Sequence, residues 1–202
     1  MRDEKTHKFL SEFSYQEFSC IGLWVAEEKL DGTNIRVHWD PEKKTVLFGG
    51  RTDNAAIPSA LLERLQQLFP VSKFEGFHNS TTLYGEGIGN KIQPGGGLYV
   101  EGTGFTHDFI LFDVTVSNGT KDFIVGVDSV TDIAQKLEIR RAPIIGMMSL
   151  QEAVERVRVG MPSVISAKPR DAEGLVLKTL KPIFNSRGDR IITKVKTVDF
   201  KS

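Results

Sequence analysis

Apolar and polar positions alternate in short runs through the first fifty residues. Residues 21–30 (IGLWVAEEKL) read as a strand entering a turn at Asp31-Gly32. The stretch from Asn34 (NIRVHWD) alternates as a half-buried strand does. After a turn at Pro41-Glu42-Lys43-Lys44, TVLFGGRT gives a third strand, and the three together predict an antiparallel meander. The period then lengthens. Leu61, Leu62, Leu65 and Leu68 fall on one side of a helix over 58–69, with Pro58 at its start. Residues 81–88 and 108–116 read as strands, separated by a flexible loop at Gly95-Gly96-Gly97. Residues 128–138 and 149–159 carry helical spacing, capped by Asp128 or Ser129 and by Ser149. Residues 173–180 and 190–197 predict a strand pair joined by the turn-rich Asn185-Ser186-Arg187-Gly188-Asp189. Without repeats or low-complexity tracts, the chain predicts a strand-dominated α+β domain of antiparallel sheets flanked by helices.

Composition narrows this picture only a little. A chain of 202 residues fits one domain with a proper core. Its 26 basic and 26 acidic residues cancel, which leaves a nucleic-acid partner open but argues against a loose electrostatic coating of nucleic acid. Cys20 is the single cysteine, so no internal disulfide forms; it reads as a small half-buried hydrophobe in a reducing compartment. Met1–Ser11 is polar and lacks the apolar stretch of a signal peptide, and no run approaches transmembrane length. A cytoplasmic protein with no membrane partner is expected, and the small size suggests a phage or viral source. His7, His38, His78 and His107 are scattered without zinc-site spacing and read as surface or internally bonded histidines.

Chemistry enters through short segments taken in order. Glu28-Lys29-Leu30-Asp31-Gly32-Thr33-Asn34 places a lysine at a strand end before an Asp-Gly turn; by itself it is a hairpin with a solvated lysine. Gly49-Gly50-Arg51-Thr52 is by itself a surface bulge. Tyr84-Gly85-Glu86-Gly87-Ile88-Gly89 sets a carboxylate between glycines, where it can approach a ligand closely. Phe109-Ile110-Leu111-Phe112-Asp113-Val114 is an apolar strand interrupted by one aspartate, which needs a partner or an end position. Glu173-Gly174-Leu175-Val176-Leu177-Lys178 precedes Lys194-Val195-Lys196, whose two lysines share one face of a strand, as a protected edge or a phosphate clamp.

The separate readings do not explain the joint order. As a set, these segments resemble motifs I, Ia, III, IIIa, IV and V of the covalent nucleotidyltransferases, which comprise ATP-dependent DNA ligases, RNA ligases and mRNA capping enzymes. The likeness runs over residues 27–197. Asn34 in Lys-Leu-Asp-Gly-Thr-Asn, the Glu173–Lys178 segment and YGEGIGNKIQPGGGLY resemble the RNA ligase 2-like branch; Asp31 departs from it, since some members have histidine there.

The resemblance implies an adenylyltransferase (ATP-grasp-like) catalytic domain across residues 1–202 without a C-terminal OB domain. It implies ATP and Mg²⁺, or Mn²⁺, as cofactors. Lys29 would take AMP, with Asp31, Asn34, Glu173, Lys194 and Lys196 assisting catalysis. Glu28, Arg51, Glu86, Phe112, Lys194 and Lys196 would bind the nucleotide, the backbone at Glu28 reading the adenine edge. Glu173 would place the metal, with Asp31 and Glu86 holding its waters. Lys178 would contact phosphate, and Asp113 would orient its neighbours. RNA ends or a nicked duplex are the expected substrates, with a helper subunit or separate domain to grip them. Arg140, Arg141, Lys181 and Arg187 are read first as a solvated charged face and second as a replacement gripping surface. A small DNA ligase and a nucleotide- or RNA-binding module without turnover are the alternatives.

Overall fold

Two antiparallel sheets form the body of the protein in a computed structural model that describes residues 15–201. Met1–Ser11 and His7 lie outside the described residues. The first sheet has four strands: β1 (Trp24–Lys29), β8 (Ile144–Met148), β9 (Gly174–Lys178) and β10 (Ile192–Lys196), in the order β10-β9-β1-β8. The second runs β3-β2-β4-β5-β6, built from β2 (Thr33–Asp40), β3 (Thr45–Gly49), β4 (Ser80–Gly89), β5 (His107–Ser117) and β6 (Asp122–Ile124). A two-residue strand, β7 (Arg140–Arg141), pairs in parallel with β5.

The predicted meander of the first three strands is therefore corrected. Strands β2 and β3 do pair, but β1 pairs with β8 and β9 and belongs to the other sheet. Asp31-Gly32 is a crossing between sheets and not a hairpin turn. The reason is contact: a Cβ at Gly32 would stand 2.4 Å from the Gly87 carbonyl oxygen of β4. Only glycine lets the chain pass so close to that strand.

Each sheet buries one face under helices. Helices α1 (Ser59–Leu68) and α2 (Val127–Lys136) cover the six-strand assembly, where Leu61, Leu65, Val130 and Ala134 meet Ile35, Val37, Leu83, Phe109 and Leu111. Burying one such leucine side chain is worth roughly 1.5–3 kcal/mol. Helix α3 (Leu150–Arg158) covers the four-stranded sheet, with Ala153 and Val157 against Trp24, Ala26, Leu175 and Leu177. A third cluster, including Leu30, Ile88, Tyr99 and Ile110, is packed by Phe112 and Ile165.

Ser149 caps α3 as expected, in a capping box with Glu152. Asp128 and Ser129 do not cap α2. The helix starts at Val127 after Gly126, and the Val127 N–H donates to the Leu180 carbonyl instead. Gly95-Gly96-Gly97 is a packed turn and not a flexible loop: Gly95 adopts φ 82°, and a 3₁₀ turn over Gly96–Tyr99 follows with Tyr99 buried. Cys20 is exposed, contrary to expectation; in its 3₁₀ turn (Gln16–Cys20) Phe18 takes the buried place, edge-on to Trp24. His38 is bonded to Thr82, and His107 to Thr106 and Asn90. No helix among the described residues is long and apolar enough to cross a membrane.

Candidate active site

Lys29 ends β1, and Gly174 of β9 pairs with it on one side and with Lys196 of β10 on the other. The row is tight at that glycine. Gly174 has φ 149°, and a Cβ there would stand 2.0 Å from the Val195 carbonyl oxygen. Glu173, the preceding residue, therefore projects beside Lys29, and the two meet at 2.5 Å (Nζ to Oε2). Both remain partly accessible, at 17% and 22%.

Lys29 borders a cavity of about 200 Å³ between the two sheets. Lys29, Val176, Lys178 and Lys194 line it from the four-stranded sheet, and Asn34, Glu86, Phe112 and Asp113 from the other. Glu86 lies within β4, opposite Asn34 of β2. Its flanking glycines serve the core: a Cβ at Gly85 would strike the Phe109 ring, and one at Gly87 would strike Leu61. Alternation then turns Glu86 to the cavity. Phe112 and Asp113 are neighbours in β5, yet both line the cavity. The register between β4 and β5 slips here, Tyr84 facing Asp113 and Gly85 facing Leu111, so Phe112 is the extra residue of a bulge. A bulge re-aims side chains in this way.

Around Lys29 the charges are predominantly acidic. Burial pushes the Glu86 carboxyl up to about 7; nearby Lys29 opposes this, while Glu173 and Asp31 reinforce it. Asp31 is raised too, by burial and then by Glu173, against the pull of Arg170 and Lys29. Its N–H donates to the Tyr99 hydroxyl at 3.4 Å, and its carboxylate lies 4.0 Å from the Arg170 guanidinium. Among the described residues no three His, Cys, Asp or Glu side chains form a direct metal cage.

A buried ion-pair network joins the two sheets at the cavity. Lys178 is 2% exposed; its ammonium donates to the Phe112 carbonyl at 2.5 Å and lies 2.7 Å from Glu27 and 3.4 Å from Asp113. Arg141 pairs with Glu27, and Arg190 with Asp113 at 2.8 Å. Lys178 is held by this network while it also lines the cavity, and Asp113 joins Lys178 to Arg190. Arg141 is half-buried in this network and Arg140 bonds to the Tyr99 carbonyl and Asp108, so neither belongs to a solvated face. Lys181 and Arg187 are exposed.

The remaining expected residues divide. Lys194 is exposed and lines the cavity; Lys196 is half-buried and does not. Glu28 borders the cavity, but its carboxylate is taken by the Ser163 hydroxyl (2.5 Å) and the Val164 N–H (2.9 Å). Arg51 lies exposed in a bend beyond β3 and does not line the cavity. Glu27, Arg190 and Arg170 carry no local pattern that marks them; their partners are distant in the chain.

The sheet pairing, the bulged Phe112 and the paired lysine define a nucleotidyltransferase fold of the kind found in RNA ligases. The fold matches Naegleria gruberi RNA ligase with PPi, at TM-score 0.64 and 21% identity over 87% of this chain and 49% of that one. It also matches a variant of that ligase with ATP and Mn (0.67, 19%, 89% and 51%) and another with AMP and Mn (0.67, 19%, 90% and 52%). The chain spans about half the length of these solved structures. No curated protein matches it. The RNA ligase family model matches residues 22–196, and the chain belongs to that family.

Proposed function

We propose that this protein is an ATP-dependent RNA ligase that charges Lys29 with AMP and passes it to a 5′-phosphate RNA end, which is then sealed to a 3′-hydroxyl. The observation that carries this reading is the Lys29 amine, 2.5 Å from a carboxylate, on the wall of a 200 Å³ cavity that also holds Phe112 and Glu86. The matched Naegleria structures, with ATP, AMP, PPi and Mn, support it.

An ammonium has no lone pair, so Lys29 must first lose a proton to solvent; Glu173, 2.5 Å away, positions it. The amine then bonds to the α-phosphorus of ATP, the α–β phosphoanhydride bond breaks, and pyrophosphate leaves. In the second step a 5′-phosphate oxygen attacks the same phosphorus and the P–N bond breaks, restoring the lysine. In the third a 3′-hydroxyl attacks the 5′-phosphorus and AMP leaves. Catalysis of this kind rests on positioning and charge stabilisation.

Phe112, re-aimed by its bulge, supplies the apolar face for the adenine. Glu86, with its carboxyl near 7, both donates and accepts at neutral pH and suits the ribose hydroxyls. Lys194 at the rim and Lys196 beside Gly174 meet phosphate, and Asn34 assists sealing. Glu173 would hold Mg²⁺ or Mn²⁺, with Asp31 and Glu86 on its waters. The cation supplies charge neutralisation for the phosphates. Arg51, in an exposed bend beyond β3, would reach the nucleotide's ribose or phosphate from outside the cavity.

Incubation with α-labelled ATP and Mg²⁺ tests the reading. A labelled band surviving denaturation is expected in the wild type, and its loss in Lys29→Ala. No band in a wild-type protein shown by mass to carry no AMP would overturn the reading and favour a binding module without turnover. Nicks with RNA or DNA on the 3′-hydroxyl side then separate RNA ligation, the expected preference, from DNA ligation.

A further inference from the structure

A second and wider depression adjoins the Asp31-Gly32 crossing. It is an open groove of about 840 Å³, walled by residues 90–106 and by Lys168. Its inner end is tied to the catalytic lysine's own turn in two ways. The Gln93 amide donates to the Gly32 carbonyl at 3.5 Å. Arg170 donates to the Gly95 carbonyl at 3.1 Å, while its other terminal nitrogen lies 4.0 Å from the Asp31 carboxylate.

The groove carries what a polyanionic strand requires. Lys91 and Lys168 line it as cations, and Arg170, bonded to the Gly95 carbonyl, lies beside it; Glu101, paired with Lys168 at 3.2 Å, is the opposing acid. At Gly102 and Gly104 no atom stands within 4 Å of where a side chain would begin, so the backbone is open to a ligand. Phe105 lies in the wall with 45% of its surface exposed. The Arg64 guanidinium sits 3.4 Å from the ring centroid and steadies it. An apolar ring held at the surface beside lysines is a stacking platform within a cationic track, the arrangement that grips single-stranded nucleic acid without reading its sequence. The cavity at Lys29 serves the nucleotide, and so open a groove suits a linear chain better than a small molecule, which needs enclosure.

We propose that this groove is the track of the 5′-phosphorylated RNA strand, with phosphates on Lys91 and Lys168, a base on Phe105, and Arg170 guiding the 5′ end toward Lys29. The direction of travel rests on the reading of Lys29 as the charged nucleophile; the strand's place in the groove does not.

Two measurements on the same 202-residue chain separate the claims. The first is fluorescence anisotropy with a short 5′-phosphorylated single-stranded RNA across a salt series; the second is self-labelling with α-labelled ATP, which needs no RNA. A Lys91→Glu/Lys168→Glu double variant should bind the RNA at least roughly tenfold more weakly. Its log-affinity against log-salt slope should fall by about 1.4, at ~0.7 per lost contact on a single strand. Phe105→Ala should lose roughly fivefold or more with its slope unchanged, and Phe105→Trp should retain binding. Self-labelling, and with it the folded nucleotide site, should persist in all three. If the wild type labels at Lys29 and the variants bind RNA as it does, or if the wild type binds no RNA, the groove assignment is wrong. If the variants lose RNA but the wild type never labels, the groove stands as an RNA site and the ligase reading falls.

Discussion

The two walls of the nucleotide cavity handle charge in opposite ways. At the rear, Lys178, Arg141 and Arg190 face Glu27 and Asp113, and every member has a partner within the network. At the front, Asp31, Glu86 and Glu173 crowd around Lys29, and burial with mutual repulsion pushes two of the three acids up. Ions taken out of water are tolerated when partnered and costly when not. The rear wall therefore reads as architecture. It spans the sheets, since Glu27 and Lys178 lie on β1 and β9 while Phe112, Asp113 and Arg141 lie on β5 and β7, and it fixes the Phe112 carbonyl behind the ring. The front wall reads as a site whose balance is completed by a ligand that brings positive charge, as a metal-bound nucleotide does.

The largest effect should come from breaking the balanced wall. Lys178→Met leaves Glu27 and Asp113 short of a cation in a place only 2% exposed. A loss of about 3–5 kcal/mol is expected from the denaturation midpoint. A loss within the range of ordinary surface changes would show that the network does not hold the sheets.

A smaller effect of opposite sign should come from the front. Glu86 has a folded pKa of about 7 against an ordinary 4.5. The folded chain thus binds more protons than the unfolded one between those values, and stability falls as pH rises through that window. Asp31, also raised, acts in the same direction. Glu86→Gln should flatten this decline and stabilise the protein by roughly 1–3 kcal/mol at pH 8, while weakening nucleotide use. Parallel stability–pH curves for wild type and variant would remove Glu86 from the account.

The smallest stability effect should belong to the Lys29–Glu173 pair. Lys29 and Glu173 are partly accessible, so Glu173→Gln should move stability by less than about 1 kcal/mol. Self-labelling should nevertheless fall, by roughly 10²-fold or more. A large stability loss with labelling intact would make the pair structural.

These contrasts also explain what the sequence made legible. Strands β1 to β5, β9 and β10 and the three helices follow from local periodicity. Their association does not: β1 and β2 are neighbours in sequence but belong to different sheets, because Gly32 passes against β4 in a contact 55 residues away in sequence, at Gly87. Strands β6, β7 and β8 went unread. The first two are very short, and β8 (IIGMM) is interrupted by a glycine. At the site, Lys29, Asn34, Glu86, Phe112, Glu173 and Lys194 carry motif spacing and do converge. The rear wall was not legible as a network because Glu27, Arg141 and Arg190 meet their partners only through the folded chain; the motif lysine Lys178 joins it while lining the cavity. Arg51 shows the converse: it fits a motif in sequence yet lies in an exposed bend.

The account turns on the covalent bond at Lys29, and the most direct measurement is the mass of the protein after incubation with ATP and Mg²⁺, followed by peptide mapping. The account predicts a gain equal to one AMP, acid-labile as a phosphoramidate is, on the peptide containing Lys29, and removed by added pyrophosphate. No gain in a protein that starts free of AMP, or a gain that maps to another residue, would contradict it.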